Sequence, residues 1–222
     1  MPRRHKMKPG ETAIDAVGAL DFDEPETVAP RFRSAVAQGL GLAANTDFLR
    51  ARLDDSFRSS ERMLMQVTHK YSTTASDRRD HIVIPLLEDY WLSAEASFLG
   101  LEDIASWRLN HLSLSIFRGL GIERHKTKVF RAEWSCSSPT PAPRLSRLEW
   151  KGVHAQPHWQ LFADSKQRWP QDRFHFAMCS DWSRSAAPGR YPSSEGEIWN
   201  WVRYCVSYIR EQLSYRHTPA AE

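Results

Sequence analysis

Three short segments of the chain alternate polar and apolar residues, and their polar members are of types that do chemistry. Val129 to Trp134 carries Arg131 and Glu133, His158 to Phe162 carries His158 and Gln160, and Arg173 to Met178 carries Arg173 and His175. Side chains two apart on a strand leave the same face. If the three segments pair in one sheet, Arg131, Glu133, His158, Gln160 and His175 share a face. Imidazole beside carboxylate can hold a divalent metal or move a proton. His158 and Gln160 are therefore the first candidate metal ligands, with Glu133 or His175 as a third. The plainer role for the same residues is ordinary hydrogen bonding on a sheet surface or at an interface.

His158-Trp159-Gln160 resembles the H-U-H motif of rolling-circle replication initiators and related HUH endonucleases, in which U is hydrophobic and some viral members carry Gln in the last place. The resemblance implies a motif on a strand of an antiparallel sheet, a bound divalent cation (Mn or Mg) and a helical tyrosine that attacks DNA. His158 and Gln160 would then hold the metal, with Glu133 or His175 beside them. Tyr204 or Tyr208, four apart as in the two-tyrosine members, would be the nucleophile. The chain departs from the family in three ways. The lysine usual near the tyrosine is missing, with Arg203 or Arg210 nearest, the Thr-bearing first motif has no counterpart, and the preceding helical domain is atypical.

The elements that must position these residues divide the chain. Residues 1–27 read as a flexible leader, basic and then acidic, with few apolar side chains. Residues 28–108 read as helical. Phe32, Val36 and Leu40 follow Pro30 at helical spacing. Thr46 reads as the N-cap of a longer helix striped by Leu49, Leu53, Phe57, Leu64 and Val67. Tyr71 to Asp80 reads as a polar loop, and Pro85 as the opening of another helix. Residues 109–216 change period. His111 to Phe117 alternates as a half-buried strand and forms a hairpin with Lys126 to Cys136. Short strands follow near 146–151, 158–163 and 173–179. Ser194 with Glu197 makes a capping box for an amphipathic helix over 195–215. Residues 217–222 are a tail. The expected fold class is α+β: an N-terminal helical layer, an antiparallel sheet of about five strands and a closing C-terminal amphipathic helix. Phe130, Ala132, Trp134, Trp159, Leu161, Phe174, Phe176 and Met178 should face the helices.

Composition bounds the function. The 222 residues include 41% hydrophobic and 26% charged ones, enough for one sizeable core. A net charge of +3 does not by itself mark a nucleic-acid binder. Cys136, Cys179 and Cys205 show no C-x-x-C spacing, which fits reduced thiols in a cytoplasmic protein. No apolar run approaches a membrane span, so no membrane partner is expected. P-loop, dinucleotide, zincin and nucleophile-elbow motifs are absent. Seven of the nine tryptophans lie at or after position 134, interleaved with arginines, and these two types dominate interface hot spots. Arg131, Trp150, Trp169 and Arg173 are the candidate interaction residues. The leading reading is a non-catalytic subunit with a protein partner, in a larger cytosolic complex that can act on nucleic acid, with no cofactor expected. The HUH-like single-strand endonuclease is the alternative.

Overall fold

The computed structural model describes residues 20–42, 48–54, 62–76, 80–101, 106–121, 123, 125–136, 157–162, 173–177 and 194–215, without the side chains of Leu101, Ser135, Tyr215 and 173–177. These residues form ten strands and two α-helices: β1 (Asp21–Phe22), α1 (Ala29–Gly39), β2 (Leu49–Leu53), β3 (Arg62–His69), β4 (Thr73–Ser76), β5 (Asp80–Leu87), β6 (Tyr90–Leu101), β7 (Ser106–Arg118), β8 (Thr127–Ser135), β9 (His158–Phe162), β10 (Arg173–Ala177) and α2 (Glu195–Tyr215). The class is α+β, and the sheet is larger than five strands. Its main path runs β10-β9-β8-β7-β6-β3-β2, and every pairing is antiparallel.

The helical layer expected over 28–108 is the main correction. Among the described residues of that range only α1 is α-helical, after one 3₁₀ turn (Pro25–Val28), and the others include β2 to β6 and the start of β7. Of the stripe expected after Thr46, Leu49 and Leu53 lie in β2 and Leu64 and Val67 in β3, whereas Thr46 and Phe57 lie outside the described residues. Leu49, Ala51 and Leu53 satisfy period two as well as Leu49 and Leu53 satisfy helical spacing, and pairing with β3 selects the strand. Pro85 lies inside β5, at a register shift against β6, where a missing N–H is tolerated. Tyr71 to Asp80 holds β4 and the start of β5. The described residues 20–27, expected within the leader, belong to the fold. Asp21 and Phe22 pair with β7, Phe22 meets Phe98 edge-on at 6.2 Å, and Pro25 and Val28 are buried. Residues 1–19, 146–151 and 217–222 lie outside the described residues, as do Trp150, Trp169, Cys179 and Met178.

One sheet face is apolar and carries both helices. Ile198, Trp201, Val202, Cys205 and Val206 of α2 are buried with Leu112, Leu114, Ala132 and Trp134. Trp201 and Trp134 sit 5.6 Å apart. Phe130 and Trp159 also pack against this core, as expected, whereas Leu161 is 45% exposed. The two helices run in the same direction. Arg31 at the start of α1 donates to Glu195 at the start of α2 at 2.7 Å, and Arg210 donates to the Leu40 carbonyl beyond the end of α1 at 2.6 Å. The Glu197 N–H donates to the Ser194 hydroxyl at 3.3 Å, one arm of the expected capping box.

The opposite face is polar and yet largely buried. β5 helps to cover it. Its second half pairs with β6, while its first half pairs only with β4. His81 of that first half reaches Glu95 on β6 and stacks 5.1 Å from Phe117 on β7. Ala75 and Val83 of this hairpin pack with Trp91 and Phe117 as a second, smaller core.

Candidate functional site

Cross-strand register builds the polar face in rows. Gln66, Glu95, Ser113, Glu133 and His158 are successive partners across β3, β6, β7, β8 and β9. Ser93, Ser115, Arg131, Gln160 and His175 form the next row across β6 to β10. The structure thus brings Arg131, Glu133, His158 and Gln160 onto one face, with His175 at the register position opposite Gln160. Arg173 holds the position opposite Phe162 at the end of β10. Gln160 is 1%, His158 3% and Glu133 8% exposed, so these side chains point into the protein rather than into solvent.

Glu133 is the centre of the first cluster. His111 Nε2 lies 3.1 Å from its Oε1, and an Arg131 guanidinium nitrogen lies 2.8 Å from its Oε2. His158 Nε2 stands 3.4 Å from the same Oε2. Arg131 also donates to Gln160 Oε1 at 3.0 Å through Nε. Burial on its own would raise the Glu133 carboxyl. The hydrogen bonds of His111 and His158, with the charges of His111 and Arg131, outweigh burial and hold it well below the usual carboxylate range. A general base needs a pKa near the operating pH. Glu133 is held far from that, so it acts as a counter-ion that ties β7, β8 and β9 together.

The second cluster was missed in the sequence because residues 85–107 read as helix. Glu95 Oε1 accepts from Gln66 at 3.2 Å and from Ser93 at 3.3 Å, and lies 3.1 Å from His81 Nδ1. Lys128 Nζ stands 3.4 Å from His81 Nε2. An ammonium group can only donate, so a hydrogen bond from Lys128 to Nε2 goes with the tautomer whose Nδ1–H faces Glu95. A β-bulge places Lys128 there. Ile116 pairs with Phe130 while Phe117 pairs with Lys128, so Val129 is the extra residue and Lys128 turns to the polar face. The signal that could have found this cluster is the period-two run Leu92-Ser-Ala-Glu-Ala-Ser-Phe98.

The HUH geometry is not assembled. Tyr208 lies 5.9 Å from Trp159, whose ring belongs to the apolar face, and Tyr204 stacks on Tyr208 at 6.0 Å. The sheet therefore separates both tyrosines from His158 and Gln160, because Trp159 points to the side opposite its two neighbours. A divalent cation fits these donors poorly. Oε2 of Glu133 and Oε1 of Gln160 both face the Arg131 guanidinium, a cation already in place. Among the described residues no three His, Cys, Asp or Glu side chains converge as metal ligands. No described helix is long and apolar enough to cross a membrane. No family model, curated protein or solved structure matches the chain.

Proposed function

We propose that the protein works by binding, as a non-catalytic interaction subunit of a larger cytosolic complex that acts on nucleic acid. The observation that carries this reading is that the groups best suited to chemistry are committed to one another. Glu133 engages His111, His158 and Arg131, and Arg131 engages Gln160, all on a buried face. A reacting site keeps a nucleophile or base within reach of substrate. This cluster instead is a set of buried charged and polar groups held against one another, which favours one arrangement of strands.

Affinity purification of the full chain from its native cells, followed by gel filtration and mass spectrometry, tests the proposal. A partner should remain bound in stoichiometric amount to the parent chain and to Tyr204→Phe/Tyr208→Phe alike. A chain that elutes alone and cleaves single-stranded DNA with Mn²⁺, losing that activity in the tyrosine variant, overturns the reading.

A further inference from the structure

A cavity of about 1150 Å³ opens beside β2, at the end of the sheet path, between the first turn of α1 and the β3–β4 turn. Every charged residue described in its wall is basic: Arg33, Arg50, Arg52 and Lys70. Four hydroxyl-bearing residues between 68 and 74 add neutral donors. Arg50 and Arg52 are exposed and share one face of β2, and the Nε of Arg33 is buried with no hydrogen-bond partner. Guanidinium groups suit phosphate, which they bind through paired N–H groups, and the described wall residues include no Asp or Glu.

The rim is aromatic. Phe48 is 41% and Tyr71 64% exposed, unusual for rings of this size in a chain with a well-filled core. His69 lies between them, 6.3 Å from Phe48 and 5.3 Å from Tyr71. Lys70 Nζ stands over both rings, at 4.9 and 4.7 Å. Burial, with the charge of Lys70, lowers the pKa of His69 and favours the neutral ring. Cations interleaved with exposed rings are the chemistry of single-strand recognition, where phosphates follow the charge and bases stack. The volume exceeds the roughly 300–1,000 Å³ of ordinary small-molecule sites, which suits a chain more than a compact ligand. One or two charges would be enough to keep an edge strand from pairing with another copy. Four cations, two exposed rings and a cavity go beyond that need.

We propose that this β2-edge cavity binds single-stranded nucleic acid, with Arg33, Arg50 and Arg52 on backbone phosphates and Phe48 and Tyr71 stacking on bases. The inference does not depend on the protein having a protein partner. The test is fluorescence anisotropy of the purified full chain with a labelled oligo(dT) of about 20 nucleotides, longer than the ~4–16 nucleotides of a typical single-strand site. Affinity should fall as salt rises from about 50 mM. Arg50→Glu with Arg52→Glu should weaken binding about tenfold or more and flatten the salt dependence. Phe48→Ala with Tyr71→Ala should weaken it about fivefold or more with the salt dependence kept. Arg203→Glu, a single charge reversal on the exposed face of α2 and half the size of the double one, should leave affinity within about twofold. All substituted residues are exposed, and thermal melts of each variant check that it is folded. No binding at about 50 mM salt overturns the proposal, as does equal loss in Arg203→Glu. Displacement of the oligonucleotide by AMP or inorganic phosphate at matched phosphate concentration also overturns it, since the site would then take a free phosphate group.

Discussion

Glu133 shows how a residue type can be legible while its role is not. The alternation of Val129 to Trp134 places it on the polar face, and the same logic places His158 and Gln160 there. The sequence does not reveal that Arg131, two residues away on the same strand, neutralises it at 2.8 Å. Nor does it reveal His81 and Glu95, which meet only because β5 leaves the sheet plane. Glu133→Gln should destabilise the fold by about 3–5 kcal/mol at pH 7, the scale for breaking a buried ion pair. The pH dependence has a definite sign. The folded pKa of Glu133 lies below its ordinary value of 4.5, so its stabilisation is fully present above pH 4.5 and is lost as pH falls toward the folded pKa. The gap between parent and variant should stay constant from pH 7 to 5. It should then narrow by about 1.4 kcal/mol per pH unit below 4.5. Urea titrations at pH 7, 5 and 3 measure it, and a gap unchanged at pH 3 would falsify the counter-ion role.

At the scale of elements, α2 was readable because nothing competes with its pattern. Ile198, Val202, Cys205 and Ile209 fit only a helix, and all four are buried. The segment from 46 to 67 was not readable, because its leucines fit both periods and only the neighbouring strand decides. The approach of α1 to α2 is fixed by Gly39. A methyl group added there would meet Val206 Cβ at 2.6 Å and the Arg203 carbonyl at 2.9 Å. Gly39→Ala should therefore lower stability by about 1–3 kcal/mol through overpacking, although alanine gains about 1 kcal/mol of helix propensity. Gly196→Ala is the matched control, since nothing lies within 4 Å of its added methyl. It should leave the urea midpoint unchanged or raise it. Equal midpoints for the two variants would mean that the helices separate without cost.

For the whole molecule, the α+β class and the antiparallel sheet were legible, but the sheet's extent was not. Strand pairing is non-local, and a strand such as β6 declares itself only beside β7. The two described cysteines sit at separate points of one core, Cys136 just after β8 and Cys205 in α2, and burial raises the pKa of both thiols. Both should resist iodoacetamide in the native protein and react on unfolding. If the core opens as one unit, mass spectrometry at intermediate urea should find them labelled at equal rates. Faster labelling at Cys205 would mean that α2 detaches first.

The clasp between α1 and α2 joins residues 164 and 170 positions apart. From β5 to β10 each strand pairs with the one before it and can do so as it leaves the ribosome, but the apolar side of these strands has only α1 as a helical cover until residues 195–215 have been made. Until then Trp134, Leu112 and Ala132 face water, and α1 has no α2 to dock against. Assembly of this fold is therefore decided only once α2 has been made. A nascent chain stalled before Glu195 is an aggregation hazard and a natural client for chaperones.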